Sequence, residues 1–114
     1  MIKDSDVYRL LQQIPAGRVS TYGDLAKALG NPFASRAIGQ ILGKNPHPVI
    51  IPCHRVIKSD GSLGGYMYGI AQKKVMLEKE GISFVGGFVS GFKDLRVYPQ
   101  NTKAILMVVT DIQR

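Results

Sequence analysis

Cys53 is the single cysteine of the 114-residue chain, and it lies in the run Pro52-Cys53-His54-Arg55. The two residues after it can carry positive charge, and a nearby cation lowers the pKa of a thiol toward the nucleophilic thiolate. The alternative for a lone cysteine is a small buried apolar residue. One cysteine excludes a disulfide within the chain, and the two histidines have no metal-ligand spacing, so we expect no metal.

The composition favours a globular protein with a polyanionic partner. The formal net charge is +7 and 45% of the residues are hydrophobic. A small domain with this charge is most simply a nucleic-acid binder, and the alternative is a generally basic surface. The sequence has no apolar run of the roughly 20 residues that a membrane span needs and no signal-peptide pattern. We therefore expect no membrane association and a cytoplasmic protein, nuclear if eukaryotic.

Two stretches predict helices at either end of the region that holds Cys53. Apolar residues repeat at helical spacing over 5–14, and Ser5 or Asp6 could cap this helix. Residues 70–80 predict a helix that Gly81 ends, with a charged face that we expect to be solvated, formed by Lys73, Lys74, Glu78 and Lys79. Glu80 stands at the helix end where the dipole disfavours a carboxylate, so it needs a partner or is exposed.

Between them, two short helices form a candidate helix-turn-helix. Thr21 and Asp24 have the spacing of a capping box, and Gly30 is placed to end that helix. Asn31 and Pro32 predict the start of the next helix, which Gly43 ends. A second helix of this kind can enter a DNA groove, and the alternative is a plain αα-hairpin in the core.

The remaining stretches predict loops and short strands. Prolines make 44–48 an extended loop, and 49–51 is a buried strand candidate. Residues 59–62 predict a turn, and 63–69 form a loop rich in glycine and tyrosine. Residues 82–103 are glycine-spaced and apolar before a polar linker, and 102–110 predicts a buried strand of unknown pairing.

Four stretches together resemble the C-terminal active domain of O6-alkylguanine-DNA alkyltransferases, also called methylated-DNA–protein-cysteine methyltransferases. In order and at matching spacing they are Val19–Ala26, Arg36–Gly39, Asn45-Pro46 leading into Ile51–Ile57, and Gly69–Gly81. The resemblance implies an active, DNA-binding domain over 1–81 and an extension of uncertain structure over 82–114. The implied fold is mostly α with a small β element, a winged helix-turn-helix-like DNA-binding domain.

The resemblance also implies a reaction and its residues. Cys53 would accept a methyl or larger alkyl group from O6-alkylguanine, and also from O4-alkylthymine, in a single turnover without a cofactor. His54 would act as its base through a water, and Glu80 would orient His54, in the order nucleophile, base and orienting group. Asn45 would brace the active-site turn. Arg55 is expected to bridge that turn to neighbouring backbone.

The implied partner is double-stranded DNA, bound by a monomer in the minor groove with little dependence on sequence. The damaged base would be flipped out of the duplex, with Arg36 filling the gap and Tyr22 rotating the nucleotide and donating to the guanine. The residues implied on the DNA face are Arg36, Tyr22, Ala34, Ala37, Gly39 and Gln40. The residues implied in the substrate pocket are Tyr22, Ser59, Tyr66 and Gly69.

The sequence departs from the family pattern at two points, and it leaves two further readings open. We expect the chain to lack the N-terminal domain that many members carry. Met67 and Tyr68 stand where smaller residues are expected, which would restrict bulky alkyl groups. One alternative is a non-catalytic alkyltransferase-like protein that binds damaged bases, although such proteins lack the acceptor cysteine. The other is a helix-turn-helix regulator, which would give Cys53 no role.

Overall fold

A computed structural model describes residues 2–101 of the chain. Five helices, four short strands and one 3-10 turn follow each other within those residues. In chain order they are α1 (Asp4–Leu11), β1 (Ser20–Thr21), α2 (Tyr22–Ala28), α3 (Ser35–Leu42), the 3-10 turn (Cys53–Arg55), β2 (Val56–Ile57), α4 (Ile70–Lys79), β3 (Phe84–Val85), β4 (Phe88–Val89) and α5 (Phe92–Leu95).

The first helix is shorter than its apolar repeat predicts. Its N-cap is Lys3, which makes no side-chain capping bond, so the predicted cap at Ser5 or Asp6 is wrong. The helix ends at Leu11, and a tight turn follows in which the amide of Ile14 donates to the carbonyl of Leu11 at 3.0 Å. Ile14 is nevertheless buried, because the turn keeps it on the side of the helix that faces the core.

The predicted ends of α2 are confirmed. Thr21 accepts the amide hydrogen of Asp24 at 3.0 Å, and the Asp24 carboxylate accepts that of Thr21 at 3.3 Å, which is a complete capping box. At the other end Gly30 has φ of +77°, and the amide of Asn31 donates back to Ala26. This pattern is the Schellman motif, in which glycine takes the left-handed position at low cost.

The third helix begins three residues later than predicted. The side chain of Asn31 accepts the amide hydrogen of Phe33 at 3.3 Å, so it stabilises a turn instead of capping a helix. The helix starts at Ser35, with Ala34 as its N-cap. Helices α2 and α3 still pack as a pair, and the helix-rich fold with small sheets confirms the predicted helix-turn-helix-like class.

The strand predicted at 49–51 is wrong. Val49 and Ile50 are 60% and 76% exposed, and Val49 has a φ of +79°, which no strand residue adopts. The amide of Ile51 donates to His47 at 2.9 Å, which closes a turn across four residues. Only Ile51 reaches the core, because the two prolines and this turn carry the chain away from any neighbouring strand.

Two apolar clusters hold the domain together. The first joins α1, α2 and α3 with the active-site turn and contains Cys53 and Val56. The second lies on the other side of β1 and β2, which pair in parallel with Ser20 opposite Val56. Its buried members are Val19, Ile57, Leu63, Leu77, Ile82 and Val89.

Residues 82–101 pack back on the domain. Strands β3 and β4 form a hairpin, with Gly86 and Gly87 at positive φ in its turn. Ile82 and Val89 belong to the second cluster, so this segment shares the core of the residues before it. The strand predicted at 102–110 lies outside the described residues. None of the helices between residues 2 and 101 combines the length and apolar character that a membrane crossing requires.

Candidate active site

Cys53 opens the 3-10 turn, where the chain turns from the loop into β2. The amide of Cys53 donates to Ile51 at 2.8 Å, and that of Arg55 donates to Pro52 at 3.1 Å. These bonds fix the turn, and they leave the side chain of Cys53 only 3% exposed. It is a free thiol at the wall of a cavity of about 600 Å³.

Asn45 braces the loop in front of this turn. Its side chain is buried, donates to the carbonyl of Ile51 at 2.7 Å and accepts the amide hydrogen of His47 at 2.9 Å. One side chain therefore ties both ends of the loop that precedes the thiol. This is the placement that the sequence resemblance implies for Asn45.

The structure holds the thiol in its protonated form. Burial raises the pKa of Cys53, and a hydrogen bond from Asn45 and the positive charge of Lys73 offset this only in part. The expectation that the flanking residues would lower this pKa is therefore wrong, because desolvation dominates and the positive charge that acts on the thiol is that of Lys73. A buried thiol with a raised pKa needs a nearby base in order to react at neutral pH.

His54 follows Cys53 in the same turn and faces Glu80. Its Nε2 lies 3.0 Å from Oε2 of Glu80, and its side chain is 1% exposed. Burial lowers the pKa of His54, and the interactions with Glu80 that raise it do not compensate. The imidazole is therefore neutral at pH 7, with its proton on the nitrogen that faces the carboxylate. Its buried Nδ1 has no protein partner among residues 2–101, so it is free to accept a proton.

Glu80 is held by Arg55 as well as by His54. The guanidinium of Arg55 donates to Glu80 at 2.6 and 3.0 Å and to the carbonyl of Ile14 at 2.8 Å. Burial would raise the pKa of Glu80, but the bonds from Arg55 and His54 outweigh it and lower the pKa. The expected bridge from Arg55 to backbone is present. Its ion pair with Glu80, which keeps that carboxylate charged, was not predicted.

Lys73 is the charged residue that the sequence analysis misplaced. It was expected on a solvated face but is completely buried. Its ammonium donates to the carbonyls of Val56 and Leu63 at 2.6 Å and of Gly65 at 3.0 Å, which fastens the glycine-rich loop to β2. Burial lowers its pKa to about 8. The available signal was its spacing of four residues from Leu77, which places both on one helix face.

The cavity collects two of the four predicted pocket residues, Tyr22 and Tyr66. The cavity is also lined by Arg36, Gly39, Cys53 and Met67, and by Lys58 and Gly64, which the prediction did not assign to the pocket wall. Ser59 is exposed outside the lining, and Gly69 is the N-cap of α4, so the structure does not bring these two to the cavity. Tyr68 is mostly exposed and packs edge-on against Tyr66.

Tyr22 and Tyr66 keep their protons. Burial raises the pKa of both phenols, to about 12 for Tyr66. The hydroxyl of Tyr22 lies 3.4 Å from the carbonyl of Gly65 and 3.5 Å from Nζ of Lys73. A phenol that stays protonated beside a cavity can act as a hydrogen-bond donor to whatever enters it.

Helix α3 presents the surface beside the cavity. Arg36, Ala37 and Gln40 are exposed, and Gly39 is half-buried. Ala34 is only 6% exposed and belongs to the first apolar cluster, so its predicted place on the DNA face is wrong. The remaining face is small, with one arginine at the cavity mouth. Among residues 2–101 no three His, Cys, Asp or Glu side chains are grouped to hold a metal ion.

Comparison with known proteins identifies relatives for most of the chain. Residues 3–82 match the family model described as 6-O-methylguanine DNA methyltransferase, DNA binding domain. A methylated-DNA–protein-cysteine methyltransferase of Methanosarcina acetivorans is 48% identical over 66% of this chain and 48% of its own length. A bifunctional methyltransferase/endonuclease of Thermoplasma volcanium is 42% identical over 96% of this chain and 35% of its own. The chain thus spans a third to a half of these relatives.

Solved structures of two kinds resemble this one. Mycobacterium tuberculosis OGT in complex with DNA has a TM-score of 0.65 and 44% identity, over 68% of this chain and 48% of that chain. Schizosaccharomyces pombe Atl1, in complex with damaged DNA containing O6-carboxymethylguanine, has a TM-score of 0.69 and 31% identity. That match covers 87% of this chain and 100% of the Atl1 chain. The match to Atl1 therefore covers more of this chain than the family model, which spans residues 3–82.

Proposed function

Because this chain belongs to the 6-O-methylguanine DNA methyltransferase family, through its DNA-binding domain, we propose that it repairs O6-alkylguanine in DNA by moving the alkyl group to Cys53. The observation that carries the proposal is a buried thiol at the cavity wall, in the same 3-10 turn as a neutral imidazole whose Nε2 is 3.0 Å from a charged carboxylate. This is the order of nucleophile, base and orienting group that activates a thiol.

The proposed reaction is an in-line displacement at the alkyl carbon. The Cys53 proton passes through a water to Nδ1 of His54, and Glu80 stabilises the imidazolium that forms. The sulfur then bonds to the alkyl carbon as the bond from that carbon to guanine O6 breaks. Tyr22, a protonated phenol at the cavity wall, donates a hydrogen bond to the leaving guanine, which takes up a proton from water as His54 returns its proton to water. Each molecule reacts once and needs no cofactor, because nothing restores the thiol.

The substrate base must leave the duplex to reach this thiol. Cys53 is 3% exposed, and a stacked base cannot approach a buried sulfur, so the nucleotide has to rotate out of the helix. Arg36 stands exposed at the cavity mouth, where its side chain can enter the gap left in the stack. O4-alkylthymine presents a similar alkyl-oxygen bond and is proposed as a second substrate.

The proposed DNA contact is made by the exposed face of α3. Ala37 and Gly39 are small and Gln40 is neutral, so the face can lie close to the minor groove without reading many bases. Binding by a monomer with a net charge of +7 should fall steeply with salt and depend little on sequence. Exposed Ser59 and Gly69 have no role in this proposal.

A mass measurement tests the transfer. The protein is incubated with a duplex that contains one O6-methylguanine, digested, and its peptides weighed. The proposal predicts one added methyl group on the peptide that contains Cys53, and none in the Cys53→Ala variant. An unmodified Cys53 after complete binding of the duplex would refute the transfer.

A second function is favoured by one observation. Atl1 matches 87% of this chain over its whole length, more than the solved OGT chain does. A lesion-binding protein without transfer would bind the O6-methylguanine duplex more tightly than an undamaged duplex and leave Cys53 unmodified. A helix-turn-helix regulator would instead prefer one undamaged sequence. Binding titrations with an O6-methylguanine duplex and with two undamaged duplexes of different sequence therefore separate these functions.

A further inference from the structure

The chain after Ile82 packs against the backbone that leads into β1 and α2. The amide of Val19 donates to Leu95 at 3.1 Å, and the amide of Val97 donates to Val19 at 2.8 Å. These bonds form a parallel bridge between Val19 and Arg96, directly before β1. The chain segment that forms the sheet of β1 and β2 therefore also pairs with Arg96 and its neighbours. These residues lie outside the family model, which ends at residue 82.

Arg96 makes the strongest contact of this segment. Its Nε and Nη2 donate to the two carboxylate oxygens of Asp24 at 2.9 and 2.8 Å. The side chain of Asp24 is 2% exposed, and the guanidinium lies 5.3 and 5.1 Å from the ring centres of Phe92 and Tyr98. A two-point pair of this kind fixes the orientation of both groups, because the guanidinium and the carboxylate are planar.

Asp24 is also the capping residue of α2. Its Oδ2, which accepts from Arg96, also accepts from the amide of Thr21 at 3.3 Å, and its amide donates to Thr21 Oγ1. Tyr22 is the first residue of that helix, between the two partners of the capping box. One carboxylate therefore connects Arg96 to the backbone that carries Tyr22.

The side chain of Tyr22 has little freedom to adjust if its backbone moves. A Cβ added at Gly64 would lie 3.2 Å from the ring and the hydroxyl of Tyr22, so the loop already touches this side chain. On the other side Lys73 Nζ lies 3.5 Å from the hydroxyl. A shift at the start of α2 would therefore displace the ring within the cavity that Cys53 lines.

We propose that Arg96 is a positioning residue for this cavity: through Asp24 it fixes the start of α2 and so holds Tyr22 at the place where the flipped base binds. The inference rests on the function proposed for the same cavity. The Atl1 match covers more of the chain than residues 3–82, so it includes part of this segment, and the segment has a structural counterpart in a lesion-bound protein.

A double-mutant cycle tests this inference with the full chain. The rate of methyl transfer from an O6-methylguanine duplex is measured for the wild type, Arg96→Ala, Tyr22→Ala and the double variant. We expect Arg96→Ala to slow transfer about tenfold while Tyr22 is present, and by less than about twofold once Tyr22 is replaced. If the rate of the double variant is reduced by the product of the two single reductions, Arg96 acts independently of Tyr22 and the inference is overturned.

Two further variants separate positioning from charge and from folding. Lys93 lies exposed on α5, three residues before Arg96, with no side-chain hydrogen bond within residues 2–101. Lys93→Ala removes the same charge, and it should leave the rate unchanged. Arg96→Lys keeps a donor for Asp24, so this variant should fold even if Arg96→Ala fails to fold. Its transfer rate should fall by less than that of Arg96→Ala, and this loss of rate should also vanish when Tyr22 is replaced by alanine. A loss that persists there would contradict the inference.

The wild type distinguishes this inference from the proposed transfer. If the wild type leaves the methyl group on the DNA, the transfer proposal fails, and the same cycle is measured as the ratio of the Kd values for undamaged and O6-methylguanine duplexes. Arg96→Ala should then reduce this ratio only when Tyr22 is present. An equal reduction with and without Tyr22 would overturn the positioning role.

Discussion

The two sides of the cavity are built in opposite ways. On the thiol side, His54, Glu80 and Arg55 are tied to one another and to the backbone by bonds of 2.6 to 3.0 Å. On the α3 side, Arg36 and Gln40 are exposed and make no side-chain hydrogen bond within residues 2–101. The reactive groups are thus fixed by the fold alone, whereas the surface beside them has its polar groups free for a partner.

This difference teaches how folding and recognition are divided in the domain. Groups that are already oriented need no rearrangement when charge develops in a reaction. In the proposed function Arg36 finds its partners in the nucleic acid, so its contribution should appear only in the complex. Substitutions on the thiol side should therefore affect folding and transfer together, and substitutions on α3 should affect recognition of the duplex alone.

The largest effect is expected for Glu80→Ala. The substitution leaves the Arg55 guanidinium, which is 16% exposed, without its carboxylate, and it leaves His54 unoriented. Losing one partner of a buried pair should lower the free energy of unfolding by about 3 kcal/mol, measured by urea denaturation. Glu78→Ala, exposed on the same helix, is the control and should change it by less than about 0.5 kcal/mol. If Glu80→Ala lowers the free energy of unfolding as little as the control does, His54, Glu80 and Arg55 do not stabilise the fold together.

Arg36→Ala should have a smaller effect that is confined to duplex DNA. Without the side chain that we propose fills the stack, transfer from an O6-methylguanine duplex should slow about tenfold, which corresponds to about 1.4 kcal/mol. Transfer from the free modified base, and the urea midpoint, should stay the same. Lys27→Ala removes the same charge from the exposed side of α2 and controls for net charge. Equal losses on duplex and free base would remove Arg36 from this role.

Features set by neighbours in sequence were predictable. The capping box of Thr21 and Asp24 and the glycine that ends α2 follow from residues three to nine positions apart, and both are confirmed. The false cap at Asn31 failed because the same side chain can instead stabilise a turn, and local sequence does not separate these outcomes. The pairing of His54 with Glu80 came from the family resemblance, not from any local rule.

Features set by distant partners were not predictable. Lys73 is buried because three carbonyls, one from β2 and two from the glycine-rich loop, converge on its ammonium. Its spacing from Leu77 indicates the buried face of the helix, but nothing in the sequence indicates these carbonyl partners. The pairing of Arg96 with Asp24 joins residues 72 positions apart across the boundary that was drawn at 81. Both cases need the positions of backbone groups that only the folded chain supplies.

Acid should weaken the thiol side before it affects α3. The pKa of His54 is lowered by burial, so the unfolded chain binds a proton first, and stability falls as the pH drops below 6.5. The pKa of Glu80 is also lowered, mainly by Arg55, which adds a second loss below pH 4.5. Thermal unfolding of wild type at pH 7 and 5.5 should show the first loss, and His54→Gln should lack it. His47→Gln, an exposed control, should keep it. If the His54→Gln variant still loses stability between pH 7 and 5.5, His54 is not the group responsible.

The smallest change, Gly39→Ala, should separate the two sides most clearly. Glycine inside a helix costs up to about 1 kcal/mol relative to alanine, and the new methyl group would meet only the ring of Tyr22, at an ordinary contact of 4.0 Å. The variant should therefore unfold at higher urea concentration. The same methyl group stands on the α3 face beside Arg36, so it should weaken binding to the duplex.

Gly23→Ala is the matched control, because its methyl group lies on α2 with only Thr21 within 4 Å, at 3.8 Å. It should leave duplex affinity unchanged. A Gly39→Ala protein that is more stable and also binds duplex DNA as tightly as wild type would show that α3 does not approach the DNA closely. Stability gained together with affinity lost would show that the glycine is kept for the space it leaves to the partner, at a cost to the fold.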